Sequence, residues 1–174
     1  EILSIDGESI KNVEKVGKLK KIKQLYIWGE CDEGLESIGN LTSLESLLIF
    51  GYENADFTFL GNLTNLEELS LWSHQMQDIS WIEKLTKLRE LKLWGNDKLS
   101  DITPLRYLTN LEILDLSVCR ISDISPLSEL KKLKKLELWN NRIKDITPLR
   151  GLTRLEYLSI GMNRVEDISA IEDL

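Results

Sequence analysis

Five aromatic side chains recur at one phase of the chain: Trp28, Phe50, Trp72, Trp94 and Trp139. Each closes a short run, "LYIW", "LLIF", "LSLW", "LKLW" or "LELW", in which two aliphatic residues alternate with other types. Such rings bury ~150–250 Å² each and stack on other rings, on partner side chains or on sugars. That is binding chemistry, not bond-making chemistry. The groups bond-making needs are not there: no nucleophile–base pair, no metal-ligand cluster, no phosphate-cradling loop. His74 is the sole histidine and falls at a turn phase, so it reads as a turn residue. The chain is therefore read as non-enzymatic and as needing no cofactor or metal.

The alternation around each aromatic residue is that of a strand with one buried face. It sits inside a longer pattern, L-x-x-L-x-x-L-x-L, that returns every 22 residues. Repeats open at Leu19, Leu41, Leu63, Leu85, Leu108, Leu130 and Leu152, and the one from Leu85 is longer by a residue near Asn96-Asp97-Lys98. The expected organisation is one domain, 1–174, made of a partial unit 1–18 and units 19–40, 41–62, 63–84, 85–107, 108–129, 130–151 and 152–173. With Leu174 opening a further unit, the chain reads as a piece of a longer protein.

Counting from the first leucine of each unit, positions 7 and 9 point inward and positions 6, 8 and 10 point outward. The outward column at position 10 reads Asp6, Trp28, Phe50, Trp72, Trp94, Ser117, Trp139, Gly161. The column at position 8 reads Tyr26, Leu48, Ser70, Lys92, Asp115, Glu137, Ser159. The early half of this face is apolar and the late half charged. Position 12 is asparagine in three units, Asn96, Asn141 and Asn163, where an inward amide satisfies backbone groups at the turn out of the strand. The later segment reads Asp-Ile-Thr-Pro-Leu (101–105, 145–149) or Asp-Ile-Ser-Pro-Leu (123–127). Its aspartate caps a short turn and its proline ends any strand, so the return is irregular or 3₁₀. One unit cannot bury its own leucines; about seven stacked units can, forming a parallel sheet on the order of 35 Å long.

The units "LTNLEILDLSVCRISDISPLSE" (108–129) and "LKKLKKLELWNNRIKDITPLRG" (130–151) resemble the leucine-rich repeats of bacterial internalins and internalin-like surface proteins. The match covers essentially the whole chain, and the Asp-Ile-Thr/Ser-Pro-Leu segment is fairly specific to that class. The resemblance implies an α/β solenoid: a curved right-handed stack with a parallel sheet on its concave face and short 3₁₀ or irregular returns on the convex side. It also implies a protein or peptide partner held on the concave sheet by aromatic side chains, and a secreted or cell-surface setting. The residues expected to hold that partner are Tyr26, Trp28, Leu48, Phe50, Trp72, Trp94 and Trp139.

Two other readings of the face stay open. It is a carbohydrate-binding surface, with Glu68, Glu90 and Lys92 as polar partners, or a stiffened spacer in which rings on adjacent rungs only stack. Trp139 argues against stacking alone, because its column neighbours are Ser117 and Gly161. Charge narrows the field: 22 basic against 29 acidic residues give −7, against nucleic acid as partner. No apolar run approaches the 18 or so residues of a membrane span, so insertion is not expected. Cys31 and Cys119 lie four rungs apart, about 19 Å, too far for a disulfide. Asp56, Asp78, Asp101, Asp123, Asp145 and Asp167 share one return-side phase and read as repeat chemistry. The acidic edge "GECDEG" (29–34) with Glu53 and Asp56 matches no calcium loop. The lysines at 18–23 and 131–135 read as solvated faces. Position 14 is Asp32 and Asn54 in the first two full units, so the turns 30–34 and 52–56 are expected to depart from the later ones.

Overall fold

Aliphatic pairs at positions 7 and 9 of the central rungs are among the most deeply buried side chains of the protein. Leu25 and Ile27, Leu47 and Ile49, Leu69 and Leu71, Leu91 and Leu93, Leu114 and Leu116, and Leu136 and Leu138 are at most 1% exposed. The computed structural model describes residues 1–7, 13–29, 34–51, 56–72 and 75–172. Its strands are β1 (Ile2–Asp6), β2 (Gln24–Trp28), β3 (Ser46–Phe50), β4 (Glu68–Trp72), β5 (Glu90–Lys92), β6 (Ile113–Asp115), β7 (Lys135–Glu137) and β8 (Tyr157–Ser159). They form one parallel sheet in chain order. Neighbours pair at an offset of 22 residues, as in Leu47↔Leu69, except that Leu91 pairs with Leu114 across β5 and β6. The extra residue of the long unit is thus absorbed between strands, and every side chain keeps its face.

The later strands are shorter, yet the ladder runs on past them. Leu93 N–H donates to Asp115 O at 2.8 Å, Gly95 to Ser117 at 3.0 Å, Val118 to Trp139 at 2.8 Å and Asn140 to Gly161 at 2.9 Å. Column 10 therefore stays in step along the later rungs as well.

The chain leaves the sheet through a left-handed residue. Position 11 has positive φ at Gly29 (78°), Gly51 (96°), Gly95 (77°), Val118 (58°), Asn140 (56°) and Met162 (55°). Valine is a strained choice here, because its branched Cβ crowds the backbone in that region. One residue later the asparagines tie each unit to the one before it. Asn141 Nδ2 donates to Leu138 O (3.1 Å) in its own unit and to Leu116 O (2.8 Å) in the preceding one, and its Oδ1 accepts the Ile121 amide (3.0 Å). Asn96 repeats the scheme with Leu93 O, Leu71 O and the Met76 amide, and Asn163 with Ile160 O, Leu138 O and the Ile143 amide.

Short 3₁₀ turns return the chain on the far side: Val13–Lys18, Leu35–Asn40, Thr58–Asn62, Ser80–Lys84, Thr103–Tyr107, Ser125–Glu129, Thr147–Leu149 and Ser169–Ile171. All six return-side aspartates do the same work. Asp56, Asp78, Asp101, Asp123, Asp145 and Asp167 each accept the amide two residues on, at 2.7–2.9 Å. Hydrogen bonds from the Thr103 and Thr147 hydroxyls and then their amides hold the carboxyls of Asp101 and Asp145 below the usual range, and those from the Thr58 and Ser169 amides and then their hydroxyls do so for Asp56 and Asp167. Neighbouring returns pack so tightly that a Cβ on Gly17 would lie 2.4 Å from Ser37 O. The irregular turns expected at 30–34 and 52–56 fall largely on 30–33 and 52–55, outside the described residues, as do Cys31, Asp32, Asn54 and His74.

Two stability tests follow from the turn. Asn141→Leu strands two buried carbonyls and a buried amide, and is expected to cost about 3 kcal/mol in urea unfolding. Val118→Gly relieves the left-handed strain at the cost of some chain entropy, and is expected to stabilise by about 1 kcal/mol. A Val118→Gly variant that unfolds at lower denaturant than the parent would contradict the strain assignment.

Candidate functional site

Alternation that buries positions 7 and 9 leaves columns 6, 8 and 10 on the open face of the sheet. There Trp28, Phe50, Trp94 and Trp139 are 38–44% exposed. Trp72 is less exposed, half-buried, and its indole N–H is enclosed with no acceptor among the described residues. Rings on successive rungs meet early in the sheet. Trp28 and Phe50 lie 6.2 Å apart at 54°, and Phe50 and Trp72 lie 6.3 Å apart, edge to face at 80°. Tyr26 and Leu48 flank this row, half-buried, with the tyrosine hydroxyl donating to Gln24 Oε1 (3.2 Å). Five of the expected residues, Tyr26, Trp28, Leu48, Phe50 and Trp72, thus lie together on the early rungs, and Trp94 and Trp139 stand apart from their ring contacts.

The late half is built differently. Trp94 and Trp139 make no ring contact among the described residues. The rung between them carries Ser117, 3% exposed, whose hydroxyl is enclosed and has no partner among the described residues. Trp139 lies over bare backbone: a Cβ on Gly161 would sit 3.1 Å from its Cδ1. Around these indoles the charges are mostly paired. Lys92 Nζ meets Glu90 at 2.5 Å, and Lys135 Nζ meets Glu137 at 2.7 Å. Lys135 also sits 5.2 Å from the Tyr157 ring centre. The Glu137 hydrogen bond raises the pKa of Lys135. Glu68 accepts from the Ser46 hydroxyl (2.9 Å), and Asp115 accepts the Ser117 amide (2.9 Å).

Position 5, at the rim of the face, carries ion pairs across rungs. Lys23 pairs with Glu45 at 2.5 Å. Glu112 is clasped from both sides, by Arg89 and by Lys134, each at 2.6 Å. Hydrogen bonds from Lys134 and Arg89 lower the Glu112 carboxyl from 4.5 to about 2. Sequence reasoning missed this clasp and the left-handed position 11. The signals were present: opposite charges at position 5 of adjoining units, and Gly29, Gly51, Gly95 and Asn140 at one phase.

Other candidates do not assemble into a chemical centre. Among the described residues no group of three or more His, Cys, Asp or Glu side chains is placed to hold a metal. Cys119 is free and buried, and burial pushes its thiol up to about 12, far from a reactive thiolate. It occupies the asparagine place and reaches Leu93 O (3.6 Å) and Ser117 O (3.7 Å), a weak copy of the amide's bonds.

Comparison with known proteins places this architecture. A family profile described as leucine-rich repeats in two copies matches residues 64–107 and 131–173, and a single-repeat profile matches 110–130. The chain belongs to the leucine-rich repeat family. Among solved structures it is similar to internalin C2 of Listeria monocytogenes, with a TM-score of 0.94 and 28% identity over 99% of this chain and 76% of that one. An internalin (inlF) from the same organism gives 0.79 and 26%, covering 99% and 64%. A leucine-rich repeat protein of Leptospira interrogans gives 0.79 and 27%, covering 88% and 40%. No curated protein sequence matches the chain. This leucine-rich repeat chain is internalin-like in both its repeat pattern and its backbone.

The Glu112 clasp yields a pH prediction. Its folded pKa lies below the unfolded one, so its stabilisation is complete above about pH 4.5 and is lost as pH falls towards 2. The stability gap between the parent and Glu112→Gln should be constant near neutral pH and close over that acid window. Urea melts at stepped pH check this; a gap that persists at pH 2 would show that Glu112 acts otherwise.

Proposed function

We propose that the open sheet face is a non-enzymatic binding surface for another protein or a peptide, with Tyr26, Trp28, Leu48, Phe50, Trp72, Trp94 and Trp139 as its contact residues. The observation that carries this is the exposure of Trp94 and Trp139, which have no ring partner among the described residues. Tilted and edge-to-face ring contacts account for Trp28, Phe50 and Trp72, but they give the two late indoles nothing. Exposed aromatic surface of this extent is uncommon unless something covers it. Five rings approach one partner's share of a standard interface, about 800 Å².

The polar groups a sugar needs beside the indoles are already engaged: Glu90 with Lys92, and Glu68 with Ser46. That favours a polypeptide over a carbohydrate. The net charge of −7 favours it over a nucleic acid.

The test starts from a peptide selected on the parent chain from a random displayed library. Phe50→Ala and Trp94→Ala should each weaken its binding about thirtyfold, or about 2 kcal/mol, with unchanged melting curves. Trp72→Ala is expected to do the same, but its enclosed N–H requires the melting curve to be read first. Lys131→Ala, on the return side, should change affinity less than about twofold. Full affinity in both the Phe50→Ala and Trp94→Ala variants would defeat the reading.

A further inference from the structure

Arg120, Arg142 and Arg164 occupy position 13 of three successive units. Each lies two residues past the left-handed residue of its turn, Val118, Asn140 or Met162, so the column edges the open face where the chain leaves the sheet. Its backbone is held in step. Each amide donates to the preceding unit at 2.8 Å: Arg120 to Leu99 O, Arg142 to Ile121 O and Arg164 to Ile143 O. The neighbours of Arg142 are tied as well, Asn141 through its side-chain bonds and Ile143 through its amide. All three arginines are exposed. Three guanidinium groups are thus carried on successive rungs, about 4.8 Å apart at the backbone.

Such a column is unfavourable by itself, because like charges opposite one another on neighbouring rungs repel. On the opposite rim, at position 5, signs alternate instead, as in Lys23–Glu45 and Arg89–Glu112–Lys134. Column 13 has no such relief. Arg120 comes only within 4.0 Å of Asp97, and Arg142 and Arg164 form no ion pair among the described residues. The aspartates three residues on, Asp123, Asp145 and Asp167, each direct an oxygen to the amide of their own return turn. With 29 acidic residues against 22 basic ones, this is not a shortage of acids.

Exposed guanidinium forks suit carboxylates, which take two parallel hydrogen bonds from each. Arg120 and Arg164 are two rungs apart, roughly 10 Å, which about three extended residues span. A long polyanion fits less well, because position 16 sets a row of aspartates beside the column and the whole chain carries −7.

We propose that Arg120, Arg142 and Arg164 form a subsite for acidic side chains of the bound polypeptide, with at least two Asp or Glu residues in the short stretch that passes Trp139. This rests on the sheet face being a binding surface, and it adds a charge preference which that reading lacks. The bound segment is then apolar where it meets Trp28, Phe50 and Trp72, and acidic at the late rim.

The experiment follows the backbone amide signals of the three arginines and the five indole N–H signals by NMR. The probes are N-acetylated, C-amidated Glu-Phe-Glu and Gln-Phe-Gln. The Glu probe should move the arginine amides saturably and bind at least about threefold more tightly than the Gln probe. Arg142→Gln should abolish that preference and Arg106→Gln, on a return turn, should keep it, with melting curves matching the parent. Equal affinity for the two probes, or a preference that survives Arg142→Gln, would overturn the proposal. So would a heparin-derived hexasaccharide that binds the column more tightly than the Glu probe, which would make it a polyanion site. The indoles of Trp28 and Trp72 report on the face separately. Indole shifts that are equal for both probes, with silent arginine amides, reject the subsite and keep the face. Arginine shifts specific to the Glu probe, with silent indoles, count against the face and leave the acid-binding column standing.

Discussion

A pair of leucines on a strand of three to five residues buries nothing by itself. Everything in this protein follows from that. The pair becomes dry only when a rung lies on each side, so the unit of stability is the contact between neighbours. The asparagine bonds express the same dependence in polar form. Each of Asn96, Asn141 and Asn163 satisfies a carbonyl of its own unit, and a carbonyl and an amide of the preceding one. Apolar and polar needs are met across the same boundary, which is why the register holds even where one unit gains a residue.

The open face of the sheet is a by-product of that inward demand. Fixing positions 7 and 9 inside leaves no choice for 6, 8 and 10, and the sheet then aligns those positions into columns. Residues 22 apart in sequence become neighbours, and a continuous surface is assembled without any local motif. The early columns carry rings and the later ones carry paired charges. Ion pairs such as Arg89–Glu112–Lys134 run along the rim across rungs, so charge as well as packing is shared between units.

What the sequence disclosed divides along the same line. The 22-residue pattern and the period-2 alternation were legible, because they are the signatures of burial itself. They place Trp28, Phe50, Trp72, Trp94 and Trp139 on one face without reference to coordinates. The left-handed turn was harder to see, since Val118 and Met162 occupy a conformation that glycine would advertise. Cys119 hid a turn position in the same way, replacing an amide with a thiol that keeps only part of its bonding. The differing exposure of Trp72 and Trp94 was not legible at all. Both indoles stand at position 10, and only the packing of adjacent rungs separates them.

Column spacing also sets a ruler. Rungs recur every ~4.8 Å, whereas an extended chain advances ~3.3–3.6 Å per residue, so a strand-like ligand drifts out of step with the columns. A left-handed polyproline helix advances ~3.1 Å per residue with three residues per turn, about 9.3 Å. That is nearly the span of two rungs. Trp28 and Trp72 are separated by two rungs, and so are Trp94 and Trp139. A ligand of that pitch, laid across the strands, presents the same side to both members of each pair. The spacing of alternate rungs thus nearly matches one turn of that helix.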